Sequence, residues 1–424
     1  LRHLGLVGFA MRIVKIVSLI VWFFASSIST SRADVWKHDR EWDAKDETEF
    51  VKWISSDNFH RRLFIDPASP YAGLATDCAD VVYAARIIFA YEHKLNFRSF
   101  NSVKEDGVFW KRTISNNTNL FDKYAEGPVR VKAFITYLGK YSDTKFLAEE
   151  DSYPIALKDI KAGDFYITEQ PFGNTTIRHT YIVKKVYSSG IFDLYYSTLP
   201  YMVRELKVHR GLPLFSFSRE PFGFRRFKAP FLINVPEAEL PSFSLEQYDL
   251  LKKTGPENVL AEISKRIRTE EEGLGGRLDR LLGNLCRSMD DRIEAINEAQ
   301  RFLQSVSGRC VNRAEFNNLS TPVKDQRIKS QIDVISQFWK AVVSGKRTAD
   351  FAKDKTAGMN YLIGLPDGSA VEHKKLCADY PQIPLTIKEF RDLYDAGKIS
   401  SHPNDTVSVR WGRDGNPTQC QSFY

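Results

Sequence analysis

Cysteine is scarce in this chain: five occur in 424 residues, and only Cys78 falls in the first two-thirds. The other four, Cys286, Cys310, Cys377 and Cys420, crowd into the last third. No C-x-x-C or H-x-x-x-H spacing is present, so no metal is expected, and nothing in the sequence asks for a cofactor. Signatures of helix-turn-helix, finger and RNA-binding modules are missing as well, which excludes the common nucleic-acid readers. Apolar runs are short. The longest, Ile16 to Ala25, is about half the roughly twenty residues needed to cross a bilayer, so no stable membrane span is expected.

That short run does fit an export signal. Met11 opens it, Arg12 and Lys15 form the charged segment, and Ser31-Arg32-Ala33 supplies small residues for cleavage before Asp34. Residues 1–33 are therefore expected to be an upstream extension plus signal peptide, with the protein acting in the periplasm or outside the cell. They carry Arg2, Arg12, Lys15 and Arg32 and no acid, so without them the net charge of +7 falls to +3. A basic cluster persists from Arg204 to Lys228, fitting either an anionic envelope polymer or a solvated strand face.

Roughly 390 remaining residues call for two domains. Up to about residue 240 the pattern is short, aromatic, strand-like runs broken by turns; beyond it come long Glu-, Lys-, Arg- and Leu-rich helical patterns. The expected class is α+β, with residues 34–240 as one domain and 241–424 as a mainly helical second. From Gly276, Leu278, Leu282, Leu285, Met289, Ile293, Ile296 and Leu303 recur at helical spacing to about Val306. A helix that long holds Cys286 and Cys310 too far apart to bond, because bonded cysteines need Cα atoms within roughly 7 Å. Each must then pair with Cys377 or Cys420, in either combination. Cys78 is left as the odd thiol.

Cys78 precedes an apolar helical run, Val81 to Ala90, and a thiol at a helix N-terminus is placed to ionise easily. Far downstream, Gly163-Asp164 leads into one strand, His179 begins a second, Ser188-Ser189-Gly190 turns the chain, and Ile191 to Thr198 makes a third. If that hairpin closes around Ser189, residues 197 to 199 return beside His179. Ser197 is then placed to orient the imidazole. Extra helices are expected between Asn101 and Lys145, and a strand at Val407 to Trp411.

Taken in order, Pro70-Tyr71-Ala72-Gly73, Asp77-Cys78, Gly163-Asp164 and His179 resemble the NlpC-like, papain-like peptidases and amidases of bacterial cell walls, over roughly residues 65–200. The resemblance implies a papain-like domain in which a cysteine-bearing helix packs on a small antiparallel sheet. It further implies Cys78 as nucleophile, His179 as general base and then acid, Ser197 as the orienting group and Tyr71 as a pocket or oxyanion donor. Asp77 would brace the nucleophile turn. Where the family has Ser-Gly after Asp-Cys, this chain has Ala79-Asp80, which sets a second carboxylate beside the thiol. The expected function is an exported cysteine hydrolase that cleaves an amide bond in peptidoglycan peptides. The alternatives are an acyltransferase or transglutaminase-like enzyme, and a non-catalytic envelope-binding protein on the same scaffold.

Overall fold

A computed structural model describes residues 34–105, 108–172, 175–198 and 201–423. The expected signal segment lies outside them. In chain order the main elements are α1 (Ala44–Ser55), α2 (Asp80–Glu92), β1 (Arg98–Glu105), β2 (Val108–Ser115), α3 (Pro128–Tyr141), α4 (Thr144–Glu149), β3 (Ser152–Pro154), β4 (Phe165–Phe172), β5 (Thr175–Val186), β6 (Phe192–Tyr196), β7 (Lys207–Gly211) and β8 (Gly223–Phe227). Then follow α5 (Glu246–Thr254), α6 (Val259–Ile267), α7 (Leu274–Ser305), α8 (Arg313–Leu319), α9 (Pro322–Ser344), α10 (Lys353–Ile363), α11 (Ala370–Lys374), α12 (Ile387–Asp395) and α13 (Val407–Arg410). The class is α+β, and beyond β8 the named elements are all helical.

Helix α2 is apolar on nearly every side, the pattern of a helix enclosed by neighbours. Val81, Val82, Tyr83, Ile87, Ile88 and Phe89 are all buried. Phe89 meets Phe50 and Trp53 of α1, while Tyr83 meets Phe227 of β8 edge-on at 5.7 Å. Helix α1 starts on a reciprocal cap between Asp43 and Asp46. The sheet beneath has the order β3-β8-β4-β5-β6-β7, antiparallel throughout.

Gly163 makes the turn into β4 tight enough for α1 to settle on it. Its φ is +88°, and a Cβ there would lie 2.6 Å from the Phe50 ring. Gly163→Ala is expected to cost about 1–3 kcal/mol through strain and displacement of that ring, measurable by urea unfolding.

The first core continues through Val259 and Ile263, and the second begins at Leu278. Helices α5 and α6 thus pack with the residues before 240, and the packing boundary falls after Ile267. Two further expectations are corrected. Residues 101–105 and 108–115, placed within a helical insertion, lie instead on the paired strands β1 and β2, before α3 and α4 begin. The segment from Val407 is the short helix α13, capped by Thr406.

Helix α7 runs 32 residues, starting two residues before the expected Gly276 and ending at Ser305, beside the expected Val306. The disulfides are Cys286–Cys377 and Cys310–Cys420, each with Cα atoms 5.5 Å apart, and Cys78 is free. Both bonds tie α7, or the turn after it, to the C-terminal segments, as expected of an exported protein. No helix among the described residues is long and apolar enough to cross a membrane.

The basic cluster from Arg204 to Lys228 is largely turned inward and paired. Arg226 holds Asp164 through two bonds of 2.7 and 2.8 Å, Arg225 is buried against Ser152, Lys207 pairs with Asp291 and Glu294, and Arg210 pairs with Asp193. Most of its charge is spent inside the fold.

Candidate active site around Cys78

The turn Thr76-Asp77-Cys78-Ala79 delivers the thiol to the start of α2. Its Sγ is hydrogen-bonded to Thr144 Oγ1 at 3.1 Å, at the first residue of α4, and lies 3.9 Å from the carbonyl oxygen of Arg178. The turn is braced by the Asp80 carboxylate, which accepts from the Asp77 N–H at 2.9 Å. Asp80 is buried, and α3 comes so close that a Cβ at Gly139 would lie 2.3 Å from Asp80 Oδ1.

These surroundings reverse the expectation of an easily ionised thiol. Burial, then the charge of Asp77 and to a smaller extent that of Asp80, push the Cys78 thiol up to about 12, against the lowering effect of the Thr144 bond. Burial and the nearby Asp77 charge raise Asp80 to about 7. The helix N-terminus is outweighed by partial burial and two neighbouring carboxyls.

His179 lies on β5, with Thr168 of β4 opposite. Side chains alternate across a strand, so His179 shares its face with Tyr181. Its ring packs edge-on against Tyr181 at 4.5 Å and Tyr196 at 5.1 Å. No hydrogen bond joins it to Cys78 among the described residues. Burial, and then the positive charge of Arg327 on α9, push the imidazole down to about 3. Thiol and imidazole are therefore both neutral at physiological pH.

Ser197 does not orient the ring. It is buried, and its Oγ donates to the Thr76 carbonyl at 3.0 Å. The reason is a bulge in β5: the pairs Val186–Phe192 and Lys185–Asp193 shift by one residue to Val183–Leu194 and Ile182–Tyr195. Continued without the bulge, the hairpin would set Ser197 opposite Tyr181, on the imidazole's face. With it, the same register carried one pair past β6 sets Ser197 opposite Thr180, on the other face.

Tyr71 is also elsewhere. Its hydroxyl donates to Glu92 Oε1 at 3.1 Å, at the far end of α2. Glu92 is about 18 Å along the helix from Asp80, at ~1.5 Å per residue, and Cys78 lies before that helix start, so Tyr71 is no oxyanion donor. Thr144, Tyr181, Tyr196 and Arg327 are the neighbours that the sequence did not announce. Thr144 begins a helix capped by Asp143, and no local pattern ties it to a cysteine 66 residues earlier.

Asp80 offers a direct check on the electrostatics. Asp80→Asn keeps an oxygen for the Asp77 N–H and removes a negative charge, so the thiol should ionise more easily. Alkylation by iodoacetamide at pH 8.5 is expected to speed up roughly three- to tenfold. An unchanged rate would mean that this charge does not reach the sulfur.

No group of three His, Cys, Asp or Glu side chains placed to hold a metal occurs among the described residues. Two concavities, of about 300 and 210 Å³, lie among the C-terminal helices and away from Cys78. The chain matches no protein-family profile, no curated protein and no solved structure.

Proposed function

We propose that the protein is an exported cysteine hydrolase of the NlpC-like kind, acting on an amide bond in the peptides of the bacterial cell wall. The observation that carries the reading is the approach of Cys78 Sγ to within 3.9 Å of the Arg178 carbonyl, the residue before His179, across 100 residues of sequence. The free thiol at a helix start thus adjoins the strand that bears the only histidine in the expected position. The two disulfides elsewhere in the chain agree with an oxidising compartment.

The resting pair is neutral, so the chemistry is general-base catalysis rather than attack by a stored thiolate. As Cys78 sulfur bonds to the amide carbon, its proton passes to His179. The imidazolium then protonates the leaving amine as the C–N bond breaks, and water hydrolyses the thioester with His179 again as base. The Cys78 backbone N–H makes no hydrogen bond among the described residues and would serve the oxyanion. An amine in place of water would make the same acyl-enzyme a transferase.

A non-catalytic envelope-binding protein is the second reading, favoured by the missing Cys78–His179 hydrogen bond. Purified chain lacking residues 1–33, incubated with isolated cell walls, separates the two. Soluble peptides released by the wild type and not by Cys78→Ser support the hydrolase. Sedimentation with walls and no release from either supports the binder.

A further inference from the structure

Acyl-transfer sites hold the developing oxyanion between aimed hydrogen-bond donors, commonly two. The Cys78 N–H offers one, and Tyr71, bonded to Glu92, lies too far away to be the second. The hydroxyl in contact with the sulfur is that of Thr144, with Oγ1 3.1 Å from Sγ. The direction of this bond follows from the sulfur's other partner. A carbonyl oxygen only accepts, so at 3.9 Å from the Arg178 oxygen it is the thiol that donates. The thiol has one proton, which leaves the Thr144 hydroxyl as the donor to Sγ. Its hydrogen is thus aimed at the reacting centre, and the hydroxyl makes no other hydrogen bond among the described residues.

Thr144 is buried and held from three sides. Asp143 caps α4 by accepting the Phe146 N–H at 2.8 Å, Ser152 Oγ ties the helix to β3 through the Leu147 carbonyl at 2.7 Å, and α4 packs on β5, the strand of His179. A donor fixed in this way needs little reorganisation when charge develops beside it.

We propose that Thr144 is a catalytic residue, the second oxyanion donor beside the Cys78 N–H, in the role expected of Tyr71. The proposal rests on the hydrolase reading for the bond that it acts on. As Sγ bonds to the amide carbon, the π pair of the C=O bond moves onto oxygen and the thiol proton passes to His179. The oxyanion sits on the carbon bonded to Sγ, so turning the hydroxyl redirects its hydrogen from sulfur to that oxygen. Thr144 keeps its proton throughout.

Two reactions of the same thiol separate this role from mere support of the sulfur. Full chain is treated with p-nitrophenyl acetate, whose acetyl carbon passes through an oxyanion before p-nitrophenolate leaves, and separately with iodoacetamide, whose displacement of iodide forms none. Thr144→Val is expected to slow nitrophenolate release at Cys78 roughly 10²- to 10³-fold and alkylation less than about tenfold. Thr144→Ser, which keeps the hydroxyl, should stay within about tenfold of the wild type in both. Equal slowing of the two reactions by Thr144→Val, or slowing of neither, overturns the proposal, as does wild-type acylation no faster than that of Cys78→Ala. Should Thr144→Val not fold, Thr144→Ala takes its place in the same comparison. Peptide release from walls is scored separately, so the oxyanion donor and the wall hydrolase can fail independently.

Discussion

Cys78→Ser is expected to lower peptide release from walls by on the order of 10⁴-fold or more, and His179→Ala by on the order of 10²- to 10⁴-fold. The two losses should not add, because nucleophile and base serve the same step. The resting state predicts a companion result. A thiol pushed up to about 12 has little thiolate at pH 7, so iodoacetamide should label folded Cys78 roughly a thousandfold more slowly than an ordinary thiol. Rapid labelling at pH 7 would contradict the neutral pair. Undiminished release by Cys78→Ser would end the hydrolase reading. Slow labelling together with Cys78-dependent release is the combination expected of a thiol that loses its proton only as it attacks.

The largest stability effect is expected at Asp164. Its carboxylate takes two bonds from Arg226 and caps the turn through the Lys161 N–H at 2.8 Å. Asp164 is 2 % and Arg226 6 % exposed, so removing the acid leaves an uncompensated cation inside the protein. Asp164→Ala is expected to cost about 3–5 kcal/mol, read as a lower urea midpoint at unchanged slope. Asp164→Asn, which keeps an acceptor, should cost less. A change below about 1 kcal/mol for the alanine variant would mean that water reaches the guanidinium. Since Gly163 seats α1 and Asp164 ties β4 to β8, this pair acts in the resemblance as a structural joint.

Features governed by local spacing were legible in the sequence. The stripe from Leu278 to Leu303 gave the long helix, and its length alone barred a Cys286–Cys310 bond. The apolar run after Cys78 and the strands around His179 were equally plain. The bulge at β5 was not: it changes no residue type, yet its one-residue shift decides which side of the sheet Ser197 occupies. Burial was the other hidden quantity. The Asp-Cys-Ala-Asp turn looks activating when only the helix N-terminus is considered, and the opposite once the dry contact with α3 is known. Tyr71 was misplaced for a third reason, because seven residues of sequence separation hid a tie to the far end of α2. The paired strands β1 and β2 are hidden because the expected helical insertion spans Asn101 to Lys145 and no local pattern marks where strand gives way to helix.

The distribution of sulfur also bears on how the chain can be made. The described residues up to Ile267 pack around one core, and Cys78 is the single cysteine before Cys286, so during synthesis that part can fold with no possibility of a wrong internal disulfide. By the time Cys286 emerges, Cys78 can already lie against Thr144 with its proton firmly held, which makes it a poor attacker of any disulfide forming later. The four remaining cysteines then have only one another to choose among. The half-buried, acid-flanked setting that makes Cys78 slow at rest would thus also protect the oxidation of the C-terminal half.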